Sequence, residues 1–165
     1  MASFIPLWGS ESRNRSAPRT VVAHARVDDD DLAELAQYRW HLSDTGYAAR
    51  WAGGRKDKHR VRMHRQILGL ERSDKRQTDH INRDKLDNRR QNLRVVAGDA
   101  ENRQNVPARG GYSEHRGVTY DKTRGKWMAQ AKCGALRWVK RFDTEEEAAA
   151  AARAWREQHM PFALD

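Results

Sequence analysis

Asp79–Asn105, DHINRDKLDNRRQNLRVVAGDAENRQN, is the stretch that decides how this chain is read. It opens on an Asp-His pair, carries Asn92-Leu93-Arg94 in its middle and has Glu101-Asn102 near its end. Thr78–Ile81 and the β-branched Asn92–Val96 read as strands, with the polar Asn82–Gln91 as the loop between them. Gly98 turns the chain, and a short helix is expected from Asp99 or Ala100 through Gln104. This order brings the end of the first strand and the start of the helix to one point.

Hydrolysis of a phosphodiester needs an activated water, charge stabilisation at phosphorus and help for the leaving oxygen. His80 is the candidate base, because imidazole titrates near working pH. Asp79 offers an anionic metal ligand, and Asn102 on the helix is the natural second one, with Asn105 as the alternative. Adjacent residues in a regular strand face opposite sides, but a strand that ends in a twisted loop relaxes that restriction for Asp79 and His80. Asn92 is placed to hydrogen-bond His80 or its loop and so fix the imidazole. Arg89, Arg90 and Arg94 are candidate phosphate contacts.

Composition agrees with a polyanionic partner. The 165 residues suffice for one medium domain or two small ones. Lys and Arg number 32 against 23 Asp and Glu, and the net charge of +9 favours nucleic acid or an anionic membrane surface. No apolar run approaches the ~18–20 residues of a membrane span. The N-terminal MASFIPLWGSESRNRS lacks the basic-then-apolar order of a signal peptide. Nucleic acid is therefore the expected partner, with no membrane. Residues 51–110 carry sixteen basic and eight acidic groups, so the excess sits on the segment that holds the motif. The single cysteine, Cys133, cannot make an internal disulfide, which suits a reducing cytoplasm. It also excludes Cys-rich zinc sites and leaves Asp, His and Asn as metal donors, a set suited to Mg²⁺ or Mn²⁺. Six Trp point to packed cores or stacking surfaces.

Outward from the motif, residues 1–19 show no periodicity and are expected to be loose. Thr20–Val27 reads as a strand, and Asp28–Asp31 as the acidic N-cap of a short helix through Leu32, Leu35 and Ala36. Tyr38–His41 and Gly46–Trp51 read as a hairpin, and Lys58–Met63 as a basic strand. His64 begins a short helix that stops at Gly69; it is either a contact of the site or a histidine packed beneath the hairpin. Val106–Gly111 has the Pro and Gly content of a linker. Beyond it, His115–Tyr120, Lys126–Lys132 and Leu136–Phe142 read as three strands, followed by a helix capped by Thr144 and containing Ala148–Ala152. Trp127, Ala129 and Ala131 fall on one face of the middle strand, with Met128, Gln130 and Lys132 on the other.

Asp79-His80-Ile81-Asn82, Leu86-Asp87-Asn88-Arg89, Asn92-Leu93-Arg94 and Glu101-Asn102 together resemble the HNH nucleases, more narrowly the phage and intron-encoded homing endonucleases. The resemblance implies a ββα-metal fold with His80 as base and Asn92 as the central Asn. It also implies Asp79 and Asn102 on one Mg²⁺-like ion, and products with 5′-phosphate and 3′-hydroxyl ends. Two departures stand out. Arg83-Asp84 replaces the usual Gly-Asn of the loop, which stiffens it or makes Arg83 a phosphate contact. The spacing from Asn92 to the last Asn is one residue longer than usual, which keeps Asn105 open as the ligand.

Arg116-Gly117-Val118, Lys126-Trp127, Phe142-Asp143-Thr144 and Glu146-Glu147-Ala148-Ala149 resemble the apetala/ethylene-response type of DNA-binding domain. In that family the sheet lies in the major groove of double-stranded DNA, which makes Arg116, Gln130, Lys132 and Trp138 the candidate contacts here. Lys140 stands where a Gly is usual, and Ala152-Arg153 replaces a Tyr-Asp.

The chain is thus expected to be α+β: a ββα-metal nuclease core with a β-rich lead-in over residues 20–105, and a linker over 106–112. A small three-stranded antiparallel sheet with one helix follows over 113–165. The expected function is metal-dependent DNA cleavage, by nicking or double-strand scission, in the cytoplasm of a bacterial or phage-infected cell. A single HNH site cuts one strand at a time, so oligomeric state and nicking stay open together. The reading from another class is a DNA-binding protein whose HNH motif no longer cuts. An RNA-binding protein using a Trp-rich surface is a third.

Overall fold

Ile5 and Leu7 alternate inward with Phe4 and Pro6 outward, and this pattern makes Ala2–Trp8 a strand, β1. The computed structural model describes residues 1–9, 20–106 and 112–164. The expectation of a loose segment over 1–19 is corrected for residues 2–8, and the remainder of that expectation, residues 10–19, lies outside the described residues. Pro6 is tolerated because β1 pairs with its second neighbour only at Trp8, so no ladder bond is missing at position 6.

The chain divides into two compact units, Met1–Ala97 and Gly98–Asp165. In the first, β2 (Val21–Asp28) runs antiparallel to β1 and leads into α1 (Asp29–Leu35). Then come β3 (His41–Leu42), β4 (Ala48–Ala52), β5 (His59–Arg62) and α2 (Met63–Ile67). The five strands form one sheet in the order β2-β1-β3-β4-β5. A separate two-stranded ribbon, β6 (Gln77–His80) with β7 (Leu93–Val96), pairs antiparallel from Gln77↔Val96 to His80↔Leu93. Ile5, Leu7, Val27, Leu35, Trp40, Met63, Ile67 and Leu93 make the buried core of this unit. The Trp40 indole N–H donates to the Leu35 carbonyl (2.8 Å), so the largest core side chain also closes the end of α1.

The acidic run stands at the start of α1 as expected, with Asp29–Asp31 in its first turn, but Asp28, at the N-cap position, does not cap the helix with its side chain. Its Oδ2 instead accepts from the Arg90 amide at 2.8 Å. Asp31 receives the Arg90 guanidinium through both its oxygens, at 2.6 and 3.0 Å.

The second unit opens with α3 (Asp99–Asn102) and a 3₁₀ turn over Arg103–Asn105. Asn102 and Asn105 therefore belong to this unit, while most of the expected linker, residues 107–111, lies outside the described residues. The strands β8 (Val118–Asp121), β9 (Lys126–Cys133) and β10 (Leu136–Phe142) form an antiparallel sheet with β9 central. One helix, α4 (Glu145–His159), covers it. Thr144, the cap expected from the sequence, closes α4 together with Glu147 in a reciprocal capping box. Ala148, Ala149 and Ala152 meet Ala129 and Val118 in the core, so small side chains let helix and sheet approach closely. The buried Arg156 donates to the Arg116 carbonyl at 2.8 Å.

Gly117 holds this arrangement in place. Its φ is +77°, and a Cβ there would lie 2.3 Å from the Gln130 carbonyl oxygen, while its own carbonyl accepts from the Gln130 amide at 2.8 Å. Gly117→Ala should therefore destabilise the second unit by more than about 2 kcal/mol, because strain at φ and a backbone clash add. Thermal unfolding followed by circular dichroism checks this; an unchanged midpoint would show that the turn relaxes freely.

Candidate functional site

In the second unit the register of β9 and β10 sorts residues between two faces. Ala129 and Ala131 face α4, and Trp138, opposite Ala131, shares that side. Trp138 stacks with Trp155 (6.2 Å between centroids), which stacks with His159 (4.3 Å). Trp138, expected at DNA, is thus a helix-side packing residue. Arg116 is also engaged internally: its guanidinium donates to the Gln104 carbonyl at 2.6 Å. Gln130 and Lys132 are on the open face as expected, and both are exposed. Opposite them stand Val139 and Arg137, with Arg141 one step further along the same face, residues the sequence reading did not single out. Their alternation at 137, 139 and 141 was the available signal. Arg141 donates to Asp121 at 3.1 Å and, with Arg124, holds that carboxyl below its ordinary pKa.

In the first unit, the loop from β6 to β7 is built on side-chain amides. The Asn92 Oδ1 accepts from the Asn82 amide (2.9 Å), and its Nδ2 donates to the Asn82 side chain (2.9 Å) and to the Asp87 carbonyl (2.7 Å). Asn92 thus clamps the loop, one of the two roles foreseen for it. The imidazole is met instead by Asn88, whose Oδ1 lies 3.3 Å from the His80 Nε2. Asn88 is fully buried, and its amide donates to the Arg26 carbonyl on β2 (2.7 Å), which ties the loop to the large sheet. Arg83, at the position where the HNH resemblance expects Gly, sits at φ 67°. That conformation costs a non-glycine residue about 1–2 kcal/mol, and its amide bond to the His80 carbonyl (2.9 Å) accompanies it.

His80 is 5% exposed, and burial lowers its pKa although the Asn88 bond and nearby carboxylates oppose the shift. The ring is therefore neutral at pH 7. The Asn88 oxygen can only accept, so the tautomer that suits this contact carries its proton on Nε2. His64 and Tyr47 complete an aromatic cluster, at 5.0 and 5.8 Å from the His80 ring. The two readings open for His64 meet in the structure: it is buried and packed, and it lies against the candidate base His80.

Three of the candidate phosphate-binding arginines, Arg89, Arg90 and Arg94, are each matched by a carboxylate. Arg89 forks onto Asp87 (2.6 and 2.8 Å), whose pKa it lowers; Arg90 forks onto Asp31. Arg94 lies directly across the ribbon from Asp79 and donates to its Oδ2 from two nitrogens, at 2.6 and 2.9 Å. Because β6 stays regular through His80, Asp79 and His80 project to opposite faces of the ribbon, contrary to the relaxation expected at the strand end. As a donor, Asp79 fits a hard cation of the kind that keeps water and phosphate oxygens as most of its ligands. Among the described residues no three His, Cys, Asp or Glu gather into a metal cluster. Asn105 is buried in the second unit and Asn102 is half-buried there.

His64 gives a pH-dependent signature. Burial, then the neighbouring His80, lowers its pKa to about 3, and its Nδ1 has no hydrogen-bond partner. The unfolded chain binds a proton near pH 6.5 that the folded chain refuses. The contribution is therefore intact above that pH and is lost progressively down to about 3. His64→Phe, which keeps the ring and cannot be charged, should remove about 2 kcal/mol of the stability loss between pH 7 and pH 5. Urea midpoints of the two proteins at both pH values measure it; parallel losses would show that His64 is protonated in the fold.

Comparison with known families places the second unit. Residues 113–159 match the AP2 domain, which covers under a third of the chain. No curated protein and no solved structure matches the chain significantly. AP2 domains bind double-stranded DNA, and the mixed α+β fold, with three antiparallel strands beneath one helix, agrees with that domain. No helix among the described residues is long and apolar enough to cross a membrane. Over residues 113–159, then, the chain is similar to the AP2 domain, and double-stranded DNA is the partner that this match supports.

Proposed function

We propose that the chain binds DNA through the open face of its three-stranded sheet and that its first unit is an HNH-type, metal-dependent phosphodiester hydrolase. The observation that carries the DNA-binding part is the sorting of Gln130, Lys132 and Arg137 onto the uncovered face, while Trp138 and the alanines occupy the covered one. Gln and Arg read base edges in a major groove, and Lys compensates phosphate.

The hydrolytic part is supported by His80, a buried neutral imidazole held by Asn88 beside a loop clamped by Asn92. On this reading the His80 imidazole accepts the proton of the attacking water, and Asn88 holds the ring during that transfer. Asp79 is the residue that would hold Mg²⁺ or Mn²⁺, which when bound supplies charge neutralisation at phosphorus and at the leaving oxygen. Arg94 neutralises Asp79 in the protein alone and offers a guanidinium beside it for a phosphate oxygen. Two observations favour the second reading, binding without cleavage: Asp79 and His80 point to opposite faces, and the Asp79 carboxylate is already ion-paired.

Supercoiled DNA incubated with Mg²⁺ or Mn²⁺ separates these readings. Wild type should nick it and His80→Ala should not, while both bind duplex equally. Asp79→Ala should likewise stop cleavage and keep affinity. Asn102→Ala reports on the ligand role expected from sequence; Asn105→Ala is the less clean test because Asn105 is buried. Absence of cleavage by wild type on its cognate sequence would leave the DNA-binding reading alone.

Binding itself has a separate check. Lys132→Ala should weaken duplex affinity on all sequences and reduce the slope of log K against log salt by about 0.9, the value for one phosphate contact. Arg137→Ala should lower discrimination between sites as well. Unchanged slopes and affinities would place the DNA on some other face.

A further inference from the structure

The outer face of the five-stranded sheet carries a groove of about 550 Å³ that neither the DNA-reading sheet nor the His80 loop uses. Register brings its floor together: Trp8 pairs with His41, His41 lies opposite Ala49, and Trp51, two residues on, lies opposite Arg60. Trp8, His41, Trp51 and Arg60 therefore share one face. Trp51 is 49% exposed, although an indole of that size is ordinarily covered in a folded chain. His41 stacks beside it, with planes 15° apart.

Cations lie over these rings. Lys58 lies 4.7 Å and Arg60 5.4 Å from the Trp51 ring, and Arg39 lies 4.5 Å from that of Trp8. The one carboxylate in the lining, Asp44, meets Arg60 at 3.1 Å with both side chains well exposed. An exposed pair of this kind is worth little and exchanges readily for another anion. Flat rings for stacking beside exposed cations match unstacked bases joined by phosphates, whereas duplex DNA buries its base faces.

We propose that this groove is a binding site for single-stranded DNA, with Trp51 and Trp8 as base platforms and Lys58, Arg60 and Arg39 as phosphate contacts. DNA is the polymer chosen because the same chain is similar, over residues 113–159, to a duplex-DNA-binding domain. The site takes no part in hydrolysis: His80 and Asp79 do not line it, so its failure leaves the cleavage reading standing.

The test uses the full chain, a short fluorescent single-stranded DNA, the duplex of the same sequence, and RNA of that sequence. Trp51→Ala should weaken single-strand binding about tenfold, the size expected for one base stack, and Trp51→Phe should restore most of it. Duplex affinity should stay within about twofold, since the duplex is held by the second unit. Lys58→Ala, at an exposed position outside any strand, should lower the single-strand salt slope by about 0.7 and decides the matter if Trp51→Ala perturbs the fold. Three results overturn the proposal: single-strand affinity indifferent to both substitutions, equal losses for single strand and duplex, or a Trp51-dependent preference for the RNA.

Discussion

The Asn92 side chain is the interaction on which the first unit's loop depends. The ribbon of β6 and β7 has four residue pairs, too few to impose a shape on the polar loop that joins them. A loop of this kind must satisfy its backbone without a ladder. Asn92 does so from the inside, bonding the Asn82 amide and the Asp87 carbonyl with one carboxamide, while its own carbonyl accepts from the Ile81 amide. Asn82 and Asp84 repeat the device on a smaller scale, each accepting from the amide two residues on. An aspartate at 92 would accept but not donate, and the Asp87 carbonyl would lose its partner.

Once the loop is fixed, its neighbours follow. Leu86 and Asn88 bond both backbone groups of Arg26, which extends the edge of β2 by a short parallel bridge. That anchorage delivers the Asn88 oxygen to His80 and sets Asp87 beside Arg89. The second unit solves a similar problem with a different residue. Arg156, buried on α4, bonds the carbonyl of Arg116 just before the left-handed Gly117, so the helix holds the turn that leads into β8.

Legibility in the sequence tracked how local each signal was. The cap at Thr144, the Ala face of α4, the alternation of β9 and the strand-loop-strand order around His80 all lie within a few residues of their cause. Gln130 and Lys132 were placed correctly because a single strand's parity suffices. Trp138 was not, because its side depends on its partner across the ladder: opposite Ala131 it must face the helix. β1 was missed because Pro6 and the Gly and Ser after it masked an alternation of five residues, Phe4 to Trp8. His64 stood between two readings, since sequence shows neither burial nor the ring it packs against.

The arginines show why a charge count misleads. The excess of basic residues over 51–110 suggested that phosphate contacts coincide with the loop, yet Arg89, Arg90 and Arg94 each fork onto a carboxylate. Two of those carboxylates, Asp79 and Asp87, come from the loop region itself; the third, Asp31, lies far back in the chain. A guanidinium so paired contributes little field beyond its partner, and removing the partner would strand a charge in a half-buried place. Lys58 and Arg39 rest instead on Trp rings. A ring face holds a cation by its quadrupole and leaves the net charge intact. Two uses of the same residue type thus coexist in one unit: cations spent on carboxylates hold the loop together, and cations laid on aromatics keep their charge for a ligand.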